Sequence, residues 1–198
     1  MRLVAGLGNP GREYDGTRHN IGFDIVDVLA SQIGATPWKA WKKGLVAKGK
    51  LGGEDLVLLK PQTFMNLSGD SVSPALSFYK LPPEHLIVVH DELDFELGDV
   101  RLKFGGGHGG HNGLRSIMNS SGRDFGRLRI GVGRPPKGWE GAKWVLSRFR
   151  ADEEPLLDEA TVRTCEAIGM IVKHGFSAAM NKFNRRSDKP NGGDPKCL

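Results

Sequence analysis

The sequence predicts a single α/β domain, built on a mixed, mostly parallel sheet flanked by helices on both sides. Three observations carry this expectation. The 198 residues suffice for one buried core without metal or disulfide staples. Hydrophobic residues at 38% and charged residues at 26% are ordinary values for a globular chain. Short apolar runs alternate with segments of helical period, except at one point where two strand-like runs follow each other as a hairpin, so strict βαβ alternation is broken.

Residues 2–7 (RLVAGL) form a short apolar run before a glycine-rich turn and read as a buried strand. From Asn20 onward, Ile21, Ile25, Val28, Leu29 and Ile33 recur at helical spacing, with Asn20 as the expected cap and Gly34 as the stop. Residues 45–51 and 55–60, split by Gly52-Gly53, read as the hairpin. A helix is expected over about 66–79, closed by Pro82-Pro83, and then a central strand over His85–His90 whose end delivers Asp91. A strand over about 99–104 leads into GGGHGGHNG, a helix starts near Leu114, and RLRIGV at 127–132 is another strand. A Pro-Gly-rich loop at 134–141 precedes a short helix over about 141–149. Asp152, Glu153, Glu154 and Pro155 open a last helix, which Lys173, His174 and Gly175 finish in agreement with the helix dipole. The domain is expected over residues 1–183, with 184–198 a polar, flexible tail.

The net charge of +5 and pI near 9.3 favour polyanionic partners, though part of the excess lies in the tail. The two cysteines, Cys165 and Cys197, are far apart, and the N-terminus lacks the pattern of a secretion signal. No stretch approaches the roughly 18 apolar residues of a membrane span. A cytoplasmic protein is expected, and a monomer, because no heptad pattern is evident.

Residues 6–11 (GLGNPG) match G-x-G-x-x-G after a strand, which invites a dinucleotide-binding reading. The context opposes it. The polar, glycine-interrupted segment GREYDGTRH separates the glycines from the next helical pattern, and the acidic residue due about 20 residues on is absent, since Asp24 and Asp27 lie inside the helix. A tight turn accounts for the glycines, but not for Asn9, Tyr14, Arg18 and His19 crowding one loop.

Four segments place polar side chains beside element ends: Asn9 with His19, Asn66 in KPQTFMNLSG, Asp91 in VVHDELD, and His111-Asn112 in GGGHGGHNG. Loops beyond strand ends are where open α/β sheets bind ligands. His19 is the natural general base, and a carboxylate fixes the tautomer of such a base and stabilises its imidazolium. Asp91 is placed for that, with Asp94 in reserve. Asparagines offer uncharged donors and acceptors for a carbonyl, an oxyanion or a water. Each alone has an ordinary explanation, a helix cap or an idle loop histidine; the set is what points to a site.

Other chemistries fit less well. His108 and His111 form H-x-x-H, which Asp91 would complete as a zinc site, but the pair lies in a glycine loop and the helical H-E-x-x-H signature is missing. There is no G-x-S-x-G elbow, and neither cysteine neighbours a histidine-rich segment, so a covalent nucleophile is disfavoured. Water activated by His19 remains, with no metal and no cofactor expected.

GLGNPG followed by Tyr14 and TRHNIGF, then KPQTFMNLSG, VVHDELD and KFGGGHGGHNGLRSI, together resemble bacterial-type peptidyl-tRNA hydrolase. The similarity runs in the same order over residues 1–182. The resemblance implies hydrolysis of the ester joining a peptide to the terminal ribose of tRNA, without metal. It implies His19 as proton acceptor, Asp91 as the group holding it in its basic form, and Asn9 as the residue that distinguishes blocked from free aminoacyl ends. Tyr14, Phe64, Asn66 and Asn112 would contact the tRNA end or the peptide, Met65 and His111 would line the cleft, and Lys103 and Arg129 would contact tRNA phosphates. The implied partner is peptidyl-tRNA, with no obligate protein partner and no membrane. Independently, Arg101, Lys103, Arg127 and Arg129 lie on neighbouring strand-like segments, where they would form a phosphate-binding patch.

Overall fold

Seven strands form one sheet in the computed structural model, which describes residues 1–185. They are β1 (Arg2–Gly6), β2 (Lys39–Trp41), β3 (Gly44–Leu51), β4 (Glu54–Pro61), β5 (Leu86–Glu92), β6 (Val100–Phe104) and β7 (Gly126–Gly131), in the order β2-β3-β4-β1-β5-β7-β6. The strands β4, β1, β5 and β7 pair in parallel, while β2-β3, β3-β4 and β6-β7 pair antiparallel. Five of the seven strands therefore run one way, and the mixed, mostly parallel sheet stands as predicted.

Alternation along the central strands divides the core in two, because successive side chains point to opposite faces. Val4, Ile87, Val89, Leu128 and Ile130 pack under α1 (Ile21–Gln32) and α5 (Glu154–Phe183). Leu3, Ala5, Leu86 and Val88 pack under α2 (Gly69–Tyr79) and α3 (Asn112–Ser121). Both faces are covered, so Leu3, Val4 and Ala5 in β1 and Leu86, Ile87, Val88 and Val89 in β5 form unbroken apolar runs.

The glycine motif serves this packing. A Cβ on Gly6 would stand 2.1 Å from the Gly22 carbonyl oxygen, and one on Gly22 would stand 2.4 Å from Leu7 N. Backbone thus meets backbone where α1 crosses β1. Two 3-10 turns, Arg12–Tyr14 and Arg18–Asn20, separate the glycines from α1. The glycine loop therefore does not run directly into a helix, as the dinucleotide-binding motif requires.

Several boundaries differ from the expected ones. The helix expected over 66–79 is a 3-10 turn, Met65–Leu67, followed by α2. The α3 helix starts two residues earlier than Leu114, and the short helix α4 spans Gly141–Val145. The strand β2 was not expected. The last helix breaks at Gly175, at φ 82° and ψ 167°, but resumes on the same apolar face through Ala179 and Phe183. The side chain of Asn184 then accepts from Leu102 N at 2.7 Å and donates to Leu102 O at 2.9 Å, covering part of edge strand β6. The rest of the expected tail, including Cys197, lies outside the described residues. No described helix is long and apolar enough to cross a membrane.

Candidate active site

The polar residues meet at the C-terminal ends of β1 and β5, neighbours at the middle of the sheet. Asp91, next to last in β5, is 3% exposed. Two imidazoles converge on its Oδ1: His19 Nδ1 at 2.8 Å, from the turn before α1, and His111 Nε2 at 2.9 Å, from the loop before α3. Three segments separated by 72 and 20 residues thus share one oxygen.

The hydrogen-bond pattern assigns the protons. His111 Nδ1 caps α3, accepting from the N–H groups of Gly113 at 3.1 Å and Leu114 at 3.4 Å. An accepting nitrogen carries no proton, so Nε2–H of His111 donates to Asp91. His19 likewise donates Nδ1–H to the carboxylate, and its Nε2 lone pair is uncommitted among the described residues. Burial pushes the Asp91 carboxyl up, but His19 and His111 outweigh it and hold the group well below the ordinary carboxylate range. A buried anion that fixes one neutral imidazole and presents the far nitrogen of another is the arrangement a general base needs.

Asn9 enters from the loop after β1. Its Oδ1 accepts from Met65 N at 2.7 Å, which fixes the amide orientation and leaves its NH2 donors uncommitted among the described residues. Asn20 carries the sequence signature of a side-chain cap for α1, but it does not act as one. Its side chain makes no cap bond; it accepts from Asn9 N at 2.8 Å and donates to Asn9 O at 3.0 Å. The residue after His19 therefore fastens the Asn9 loop. Met65 reaches the same place: a Cβ on Gly113 would lie 2.6 Å from Met65 Sδ and 3.1 Å from the His111 ring.

Known proteins resemble the chain over most of its length. The family model described as peptidyl-tRNA hydrolase matches residues 3–191. The chain belongs to the peptidyl-tRNA hydrolase family. A peptidyl-tRNA hydrolase of Sorangium cellulosum is 50% identical over 189 residues, covering 94% of this chain and 85% of that one. One of Rhodospirillum centenum is 54% identical over 162 residues, covering 80% and 71%. The crystal structure of peptidyl-tRNA hydrolase from Acinetobacter baumannii superposes with a TM-score of 0.88 at 43% identity, covering 93% of this chain and 95% of that one.

In this member of the family, Tyr14 and Phe64 meet edge to face at 6.5 Å, with Phe64 55% exposed. Asn66 and Asn112 are exposed beside Met65 and His111, without a bond to the Asp91 cluster. The basic residues stand apart. Antiparallel register pairs Arg101 with Arg129 and Lys103 with Arg127, so all four share the sheet face opposite Val100 and Leu102. Arg127 is spent on the fold: it is buried and donates to the carbonyls of Gly106 and Gly107. Arg129 stands over the Phe95 ring at 4.6 Å and 3.8 Å from Glu92, whereas Lys103 is exposed.

His19, Asp91 and His111 are also the described side chains near enough to hold a metal ion. The donor set does not suit one, because both nitrogens facing Asp91 carry protons as the ring contacts require. His108, the other half of the H-x-x-H reading, bonds its own loop through Gly110 N at 3.1 Å. Asp94 stands 3.5 Å from Arg134 at the surface rather than beside His19.

In the sequence His90 is simply the end of an apolar run. Its ring is 1% exposed, bonds the Asp91 carbonyl through Nδ1 at 2.8 Å, and meets the His111 ring edge to face at 4.8 Å. Burial, aided by His111, lowers its pKa from 6.5 to about 3. In the unfolded chain His90 takes up a proton below about pH 6.5 that the folded protein refuses, so its contribution is whole at neutral pH and is lost as pH falls. Between pH 7.5 and pH 5 this group is expected to cost the fold roughly 2 kcal/mol. Urea midpoints at the two pH values should show His90→Phe losing less stability than the parent by about that amount; equal losses would remove His90 as the source.

Proposed function

We propose that this chain hydrolyses the ester joining a peptide, or an N-blocked amino acid, to tRNA, with His19 activating the water. The observation that carries the reading is the bond from His19 Nδ1 to Asp91, which leaves Nε2 as the basic atom. Nε2 takes a proton from water as the oxygen attacks the ester carbonyl carbon, and Asp91 balances the imidazolium that forms. The tetrahedral intermediate collapses by breaking the bond to the ribose oxygen. Nε2–H returns its proton there, freeing the acid and deacylated tRNA.

Asn9 supplies selectivity. Its NH2 donors suit the amide oxygen of a blocked residue and repel the ammonium group that a free aminoacyl end carries. Tyr14, Phe64, Met65, Asn66, His111 and Asn112 surround the same loops and contact the acyl group and the terminal nucleotide. Lys103 and Arg129 hold backbone phosphates on the β6-β7 face, which gives sequence-independent, salt-sensitive affinity. All of these lie within residues 1–183, which we take as the catalytic domain, with 184–198 as its tail. We further propose a cytoplasmic monomer, in keeping with the unpaired, buried Cys165.

The test offers an N-blocked aminoacyl-tRNA and its unblocked counterpart, both with chelator present. Blocked ester should be cleaved about 10- to 100-fold faster, the worth of one donor correctly met rather than opposed. Equal rates on the two esters would reject the role of Asn9, and loss of cleavage in chelator would reject metal-free hydrolysis.

A further inference from the structure

Arg18, one residue before His19, is 1% exposed, and every nitrogen of its guanidinium is engaged. Nη2 donates to both oxygens of Glu153 at 3.1 and 2.8 Å, Nη1 to the Val132 carbonyl at 3.2 Å, and Nε to Ser147 Oγ at 3.3 Å. The guanidinium carbon stands 3.8 Å from the centroid of the Trp144 ring and 4.8 Å from that of Phe149. The main chain is held as well. Arg18 N donates to Ser147 O at 3.0 Å, Phe149 N donates to Gly16 O at 3.3 Å, and Thr17 bridges Arg148. Residues 144–153 thus grip residues 16–18 through side chain and backbone together.

A buried ion pair is a poor way to stabilise a fold. Desolvating both charges consumes most of their attraction, and well-packed apolar residues of similar volume often do as well or better. What apolar packing lacks is direction. With one nitrogen on the Glu153 carboxylate, a second on the Val132 carbonyl and the third on Ser147, the guanidinium is fixed in angle and distance, and so is the residue that precedes the base. We infer that the Arg18–Glu153 pair is a positioning device for His19. It sets the Arg18–Asn20 turn so that Nδ1 of His19 meets Asp91 Oδ1 and Nε2 faces the water to be activated. Arg18 and Glu153 touch no substrate. Trp144 and Ser147 steady the guanidinium, and Glu153 is held in turn by Arg150 N, which donates to its Oε2 at 2.8 Å.

The inference rests on His19 being the base, so His19→Ala is measured in parallel. The decisive variant is the double substitution Arg18→Met with Glu153→Leu, which removes both charges and keeps an apolar filling. It is expected to melt within about 5 °C of the parent, since the pair contributes little net stability. Its KM for blocked aminoacyl-tRNA should stay within about threefold, while kcat falls about 30- to 100-fold, as expected when a reacting group is displaced by an ångström or so. The downfield proton resonance of the His19–Asp91 bond should broaden or vanish. A purely structural pair would leave both kcat and that resonance unchanged in a folded double variant, and this result overturns the inference. Should the double variant fail to fold, Trp144→Leu with Ser147→Ala loosens the same grip without exposing a charge. A kcat loss of about 3- to 10-fold at constant KM is then expected, and an unchanged kcat again overturns it. Turnover retained by His19→Ala would instead remove the base assignment. His19→Ala inactive beside a fully active double variant would remove only the positioning role.

Discussion

Replacing His19 by Ala is expected to lower kcat by about 10³-fold, within the range a positioned general base supplies, and to leave tRNA affinity nearly unchanged. The two halves of this expectation have different origins. Nε2 of His19 is the uncommitted nitrogen of the pair on Asp91 among the described residues; His111 spends its own Nδ1 on the cap of α3 and the unpartnered Nε2 of His90 is buried, so neither takes over. In the proposed reading, affinity for the nucleic acid comes instead from phosphate contacts on the β6-β7 face, which the substitution does not touch. Single-turnover cleavage of a blocked aminoacyl-tRNA measures the first half, and binding of deacylated tRNA at fixed salt measures the second. Added imidazole should restore part of the rate, because Asp91 and His111 remain in place to receive it. A variant that kept its turnover to within tenfold would sink the assignment. One that lost turnover and tRNA binding together would point to a wider collapse of the loop.

Much of this site is legible in the sequence because it depends on types of residue at element ends. A histidine in a polar loop, a carboxylate ending an apolar strand, and glycines where helix meets strand all declare themselves one segment at a time. The sheet is legible for the same reason: β1 and β5 carry unbroken apolar runs because helices cover both faces. What stays hidden depends on distance between segments. Asn20 carries the signature of a helix cap, and only the approach of the Asn9 loop turns its amide to other use. His111 sits in a glycine-rich loop whose path the sequence does not set, so its bond to Asp91 is visible only once α3 is capped. Arg18 stands out only as one of the polar residues crowding the first loop, with nothing to mark it as buried. Its burial follows from Glu153, 135 residues on, a partner no local pattern reveals. The four cations of β6 and β7 show the converse limit. The sequence places them on neighbouring strands but cannot tell that Arg127 is consumed by Gly106 and Gly107 while Lys103 is exposed.

Asp91→Asn separates charge from shape at the centre of the site. In the parent both imidazoles donate to the same oxygen, Oδ1. An asparagine carbonyl oxygen placed there accepts both bonds, and its NH2 occupies the other branch. Fold and ring positions should therefore survive, with a urea midpoint close to that of the parent. Activity should not survive. In the proposed mechanism His19 becomes cationic as it takes the water proton, and a neutral amide cannot balance that charge in a buried setting. A fall in kcat of about 10²-fold or more is expected, with little change in KM, since the loss is felt only as charge develops. If the amide turns instead, its NH2 faces the N–H of His19, and the ring relieves the clash by moving its proton to Nε2, which also removes the base. Asp91→Ala offers the contrast. It strands two imidazole donors without an acceptor, each costing about 1–3 kcal/mol, so it should lose stability along with activity. The pair of variants thus predicts one protein that is folded and slow, and another that is slow and weakened. A folded Asp91→Asn protein working within fivefold of the parent rate would mean that position alone suffices. Asp91 would then be a hinge for the two rings rather than the charge that makes His19 a base.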